Sequence, residues 1–305
     1  MTADVIDGVK LANNYRDDIK QEVARLNNDG IFPALVALQI GDDPSSKIYL
    51  ENQRKKCEEL GINYTVWSLS ESTTQKALED HIKSLNTNPS IHGIILQQPL
   101  PAHIDGIQTI QVMAPNKDVE GLHPQNYGKL FYEDHNLAPC TALASEKLLR
   151  SYEPNLKGKE IVIIGHSSIV GKPLSMLLLH SKKEAPTVRI CHISTKDLKA
   201  HTLAADVIFV GCGVPNLIKA DMVHKGSIII DIGINRVDKT DEQGQVLLKP
   251  NGKPYKKTVG DVDYEEVSKI CKAITPVPGG VGPMTVAMLL NNTIKCACLT
   301  NNSIK

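Results

Sequence analysis

Short aliphatic runs alternate with stretches of helical character along the whole chain, and no other feature restricts the possible folds so strongly. Val9 to Leu26 reads as a helix, Pro33 to Ile40 (PALVALQI) as a buried strand, and the stretch running through Leu60 as a second helix. Tyr64 to Leu69, Thr73 to Leu85 and His92 to Leu96 continue as strand, helix and strand. Ser45 or Ser46, in the turn GDDPSS, is expected to cap the second helix. Strand–helix–strand order predicts parallel pairing, which places ligands beyond the carboxyl ends of the strands. GDDPSS and Gln97-Gln98-Pro99-Leu100-Pro101 both follow a strand, so both should reach one cleft.

A helix over Ala142 to Tyr152 and a break at Pro154 to Gly158 precede a second round of alternation: IVIIG, a helix near Gly171 to Leu179, VRIC, a further helix, DVIFVG and SIIIDIG. The polar stretch between Val237 and Thr258 reads as a surface hairpin or loop. The run VAMLLNNTIKCA reads as a final helix returning to the first domain. At 305 residues the chain has room for two domains, with roughly 150 residues as the usual size of one. The expected fold is α/β in two domains: an N-terminal α/β substrate domain over 1–150, joined by a C-terminal helix over 281–305, and a Rossmann-like nucleotide-binding domain with a mainly parallel sheet over 151–280.

Composition removes several classes of function. Thirty-four basic residues balance thirty-four acidic ones, so net charge gives no general attraction to nucleic acid or an anionic membrane, and the partner expected is a small molecule. The start, MTADVIDGVK, lacks the basic flank and apolar core of a secretory signal, and no apolar run approaches the ~18 residues of a membrane span; the expectation is a cytoplasmic protein. Seven cysteines fit reduced thiols better than a disulfide framework. Cys296 and Cys298 form C-x-C without a second cysteine or histidine cluster, so thiols on a terminal helix are expected and no metal.

Ile161-Val162-Ile163-Ile164-Gly165 runs into Gly165-His166-Ser167-Ser168-Ile169-Val170-Gly171-Lys172-Pro173, a strand, a tight turn and a helix start. That context aims backbone N–H groups at a pyrophosphate, although Ser167 stands where a G-x-G-x-x-G pattern has its middle glycine and the last glycine is displaced. The next strand ends in His192-Ile193-Ser194-Thr195-Lys196 with no acid to take a ribose hydroxyl, which favours NADP, with NAD as the alternative. Lys196 can equally be a solvated surface lysine.

Ile274-Thr275-Pro276-Val277-Pro278-Gly279-Gly280-Val281-Gly282-Pro283-Met284-Thr285 is too constrained for a generic loop, because its prolines fix some dihedrals and its glycines free others. It resembles the signature of the FolD-type methylenetetrahydrofolate dehydrogenase/cyclohydrolases. Asp43-Pro44-Ser45-Ser46 with Tyr49, Lys55 to Ile62, Gln97 to Pro101, Lys117-Asp118-Val119-Glu120-Gly121-Leu122-His123-Pro124, Pro139-Cys140-Thr141, the Gly165–Pro173 turn, Asp231-Ile232-Gly233-Ile234-Asn235 and Val259-Gly260-Asp261-Val262 follow in the family's order. The resemblance implies oxidation of 5,10-methylenetetrahydrofolate to the methenyl cation with NADP, hydrolysis to 10-formyltetrahydrofolate, a cleft between the domains and a homodimer joined through the nucleotide domains. It implies that Tyr49 packs on the folate, that Gln97 positions a catalytic group, and that the carboxylate at Glu120 binds the pterin. Catalytic residues would then be Tyr49, Gln53, Gln97 and Glu120, with Tyr49, Gln97, Glu120, Pro276, Gly279 and Gly280 on the substrate. Gly165, His166, Ser167, Val170, Gly171, His192, Ser194 and Ile234 would hold the nucleotide.

Three positions depart from the family. One helical turn after Tyr49, where the family has its catalytic lysine, stands Gln53; Lys55 points elsewhere on an ideal helix, and Lys56 lies about 10 Å from Tyr49 along the axis. Glu120 replaces an aspartate, adding a methylene, and His166 replaces an arginine with its permanent charge and fork of donors. Hydride transfer needs chiefly alignment, whereas hydrolysis needs protons moved. The expectation is therefore a dehydrogenase with weak or absent cyclohydrolase; the alternatives are a fully bifunctional enzyme and a folate- or nucleotide-binding pseudoenzyme.

Overall fold

A computed structural model describes residues 2–180, 184–241 and 243–302, side chains at 44, 45, 47, 48 and 302 excepted. The chain divides into two compact units, one made of Ala12–Cys140 with Val286–Lys305, the other of Met1–Leu11 with Thr141–Thr285. In chain order the first half runs β1 (Asp4–Val5), α1 (Gly8–Asn28), β2 (Ala34–Ile40), α2 (Pro44–Leu60), β3 (Asn63–Leu69), α3 (Gln75–Thr87), β4 (Gly93–Leu96), α4 (Gly106–Val112) and α5 (Pro124–Phe131). The second half runs α6 (Cys140–Tyr152), β5 (Glu160–Ile164), α7 (Gly171–Leu178), β6 (Thr187–Cys191), α8 (Leu198–Leu203), β7 (Val207–Val210) and β8 (Ile228–Asp231). It closes with β9 (Asn235–Asp238), β10 (Lys256–Val259), α9 (Tyr264–Val267), β11 (Ala273–Ile274) and α10 (Val281–Asn302).

In the first unit β2 lies between β3 and β4, parallel to both, as the alternation predicts. Both faces of β2 are buried, which is why its sequence, apart from Gln39, is apolar rather than alternating. Val36, Leu38 and Ile40 on one face meet Leu78, Ile82 and Leu85, which recur at helical spacing along α3. The opposite face approaches α10: a Cβ on Gly93 would meet Val119, Leu35 and Thr293 at 2.4, 3.0 and 3.6 Å. That close approach seats the loop after Lys117 directly against β4, where Ile94 and Asp118 form a parallel bridge.

In the second unit six strands run in the order β1-β11-β8-β7-β5-β6, and every pair is parallel. The chain steps from β5 to β6 on one side and then to β7 on the other, so a switch point lies between β5 and β7. β9 and β10 form a separate antiparallel pair within the polar stretch expected to be a hairpin. Among the described residues no helix is long and apolar enough to cross a membrane.

Three local readings change. The N–H of Ser46 donates to Asp43 Oδ1 at 3.0 Å, so Asp43 takes the capping role expected of a serine; the Ser45 side chain lies outside the described ones. Residues 1–11, expected in the first domain, go with the second unit because β1 pairs with β11, and the division falls at Cys140/Thr141 rather than after 150. Only the part of α10 from Val286 joins the first unit, against an expected 281–305.

Candidate functional site

A cavity of about 350 Å³ opens in the first unit where β2 and β4 end, lined by Ser46, Tyr49, Gln53, Gln97, Gln98 and Glu120 among others. It brings together all four residues expected to be catalytic. GDDPSS and QQPLP do meet, since Ser46 Oγ donates to the Gln98 carbonyl at 3.2 Å.

Each side chain is held by a local device. Tyr49 and Gln53 are one turn apart on α2 and so share a face. Tyr49 is 45% exposed, its ring bordering the cavity rather than filling the core. Gln53 is buried and Tyr64, from β3, donates its hydroxyl to Gln53 Oε1 at 2.8 Å. Gln97, at the end of β4, donates Nε2 to the Gln98 carbonyl at 2.9 Å.

Glu120 sits on a loop fastened on both sides. Before it, the buried Asp118 accepts from the N–H of Gly121 (3.0 Å), the N–H of His123 (2.7 Å) and Asn126 Nδ2 (3.0 Å). After it, Gly121 has φ +72°, and a Cβ there would lie 2.5 Å from the Ala138 carbonyl carbon. From α10, the buried Asn292 donates to the carbonyls of Val119 (3.0 Å) and Ala138 (3.2 Å). Burial, with the charge of Asp118 added, pushes the Glu120 carboxyl up to about 7. Among the described residues no salt bridge to Glu120 occurs and no lysine or arginine lines the cavity. Lys55 and Lys56 pair instead with Glu51 and Glu59 at the surface. Burial and the Glu120 charge likewise raise the Tyr49 phenol.

In the second unit the strand β5 ends in Gly165 at φ +113°, where a Cβ would be 2.5 Å from the Gly211 carbonyl oxygen at the end of β7. A Cβ on Gly171, the first residue of α7, would be 1.9 Å from Gly165 O. Between them Ser167 Oγ accepts from the N–H of Val170 at 3.1 Å. The two glycines thus let strand end, turn and helix start close tightly on one another at the switch point, and a turn of that kind fits a dinucleotide. His166 and His192 stack with centroids 4.9 Å apart and planes 24° from parallel, and His192 Nδ1 accepts from the N–H of Ser194 at 3.2 Å. Pro276, Gly279, Gly280 and Ile234 line a second, smaller hollow of about 70 Å³ in this unit. Tyr64, Asp118 and Asn292 were not singled out as site residues from sequence. Of these only Asp118 lay in a recognisable motif.

A chain built this way belongs with the dinucleotide-binding α/β enzymes. The catalytic-domain model of the tetrahydrofolate dehydrogenase/cyclohydrolase family matches residues 6–120, and the NAD(P)-binding-domain model of the same family matches 139–301. The chain is a member of that family. It is 48% identical over 293 residues to the bifunctional protein FolD of Nautilia profundicola, covering 96% of each. The crystal structure of the bifunctional FolD methylenetetrahydrofolate dehydrogenase/cyclohydrolase of Campylobacter jejuni superposes with a TM-score of 0.87 at 44% identity, covering 97% of this chain and 98% of that one. The Trypanosoma brucei methylenetetrahydrofolate dehydrogenase-cyclohydrolase, complexed with NADP and an inhibitor, gives 0.87 at 33% identity, covering 100% and 99%. The expectation of a weak or absent cyclohydrolase finds no support in relatives that are named bifunctional.

Proposed function

We propose that the protein carries both activities in full: oxidation of 5,10-methylenetetrahydrofolate with NADP, and hydrolysis of the methenyl product to 10-formyltetrahydrofolate. The observation that carries this reading is the single cavity shared by Tyr49, Gln53, Gln97 and Glu120. Tyr49 offers a flat face to the folate rings. Glu120, ionised above about pH 7, accepts hydrogen bonds from the N–H edge of the pterin. Gln53 and Gln97 hold the reacting region by amide hydrogen bonds. When bound, NADP supplies the hydride acceptor; the turn from Gly165 to Gly171 binds its phosphates. The stretch after β6 supports NADP over NAD, because Asp197, the first acid there, uses its carboxylate to cap α8 through the N–H of Ala200. A homodimer joined at the β6 edge is part of this reading, supported by the exposure of Leu179, Ile190 and Ile193. So is a reducing, cytoplasmic setting, supported by seven free cysteines.

The test is an absorbance assay of methenyl-folate formation with NADP and with NAD, followed by its decay. Formation with NADP and decay well above the spontaneous rate are expected. Formation without accelerated decay would return the protein to a dehydrogenase alone, and neither would leave a binding protein.

For Tyr49, Phe should leave the KM for folate within about twofold, whereas Ala should raise it about tenfold with Tm unchanged. The comparison is steady-state kinetics beside thermal melting. A Tyr49→Ala protein that melts much earlier would make the ring a structural element.

A further inference from the structure

A glutamine amide donates at one end and accepts at the other, and its fixed neighbours decide which end meets a ligand. At Gln53 the neighbour is Tyr64, whose hydroxyl occupies Oε1 at 2.8 Å. Burial pushes the Tyr64 phenol up, outweighing the opposite pull of the Arg54 guanidinium 5.7 Å from its ring centre, so Tyr64 stays a donor at neutral pH. With Oε1 occupied, Gln53 has its N–H groups to offer to whatever enters the cavity. Gln97 is fixed the other way round, its Nε2 on the Gln98 carbonyl and its Oε1 left to accept. The cavity therefore presents an amide donor and an amide acceptor, with no cation lining it among the described residues.

We propose that Tyr64 is a positioning residue for the hydrolytic step, holding Gln53 so that its N–H faces the oxygen added to the methenyl carbon. This rests on the bifunctional reading above. In the step, a water hydrogen-bonded to Gln97 Oε1 forms a bond from its oxygen to the carbon, the π pair of the C=N bond moves to nitrogen, and one proton passes to solvent. The adduct then opens: the carbon–N5 bond breaks with its pair on nitrogen, N5 takes up a proton, and the hydroxyl proton leaves as the formyl C=O forms. One water is consumed and one proton released. Gln53 donates to the added oxygen, and the flip of its amide decides whether it can.

The experiment is Tyr64→Phe, Gln53→Met and the double variant, each assayed for hydrolysis and oxidation. Tyr64→Phe should lower kcat for hydrolysis about 5- to 10-fold, as loss of one positioned hydrogen bond would, with KM moving less than kcat and the ratio of hydrolysis to oxidation falling. In the Gln53→Met background Tyr64→Phe should bring no further loss, because it acts through Gln53. A loss that persists in that background, or falls equally on both reactions with a lowered Tm, would make Tyr64 merely structural and overturn the proposal. Parent protein that hydrolyses well while Tyr64→Phe matches it overturns this inference alone; parent protein that does not hydrolyse overturns the bifunctional reading with it.

Discussion

Glu120→Gln should cost about 10- to 100-fold in kcat/KM for folate oxidation, the worth of a hydrogen bond to a charged group, and at the same time make the protein more stable at pH 8. The carboxyl is raised from the usual 4.5 to about 7 by burial and by Asp118. A folded-state value above the unfolded one means that folding favours the protonated form. Stability is then greatest below about pH 4.5, falls as pH rises through 7, and stays low above it. Glutamine resembles the protonated acid and never bears that cost. Since the carboxyl faces a cavity open to water, the gain at pH 8 is about 1–2 kcal/mol, less than the full shift would convert to, and near zero at pH 4.5. The same titration should weaken folate oxidation by the parent protein as pH drops below 7. Thermal melts at both pH values, with kinetics at 8, check this; a lower Tm for the variant at pH 8, or activity within twofold, would show that Glu120 is not held this way.

Gly171→Ala should weaken NADP binding about 100-fold. The new Cβ would lie 1.9 Å from Gly165 O and 3.1 Å from His166 Cα, both backbone atoms with no side-chain freedom to yield. Relief requires the turn to open by about 1 Å, and a misplacement of that size is worth about 10² where alignment matters. Hydrolysis of supplied methenyl-folate consumes no nucleotide and should fall far less. Nucleotide titration by calorimetry gives the answer. Affinity within about threefold of the parent would mean that the dinucleotide approaches elsewhere.

The fold was legible because its signal is periodic: strands buried on both faces are mostly apolar, and the helices between them carry apolar residues three and four apart. Two-residue β1 is too short to show a period, and its partner β11 comes at the far end of the chain. The four cavity residues were legible only through the resemblance to a family, since nothing about a tyrosine and glutamine on one helix requires a carboxyl from a later loop. Tyr64 was invisible for a different reason. In the alternation it is one more strand residue, and only the crossing of β3 beside α2 turns it into the partner of Gln53. Sequence alone does not choose between Asp43 and the serines two and three residues on, because any of the three suits a cap. In sequence His166 is only a loss of charge; its stacking on His192 joins two turns that sequence treats separately.

The exchange of ends between the two units has a consequence for synthesis on the ribosome. Asp4 has to wait for Ala273 before β1 can pair, and the unit formed by residues 12–140 is completed only by the helix from Val286. At about 5–20 residues per second, the wait for β1 is roughly 15–50 s. Neither unit has all its parts until the chain beyond Val286 has emerged, so both cores stay incomplete through most of the synthesis of these residues.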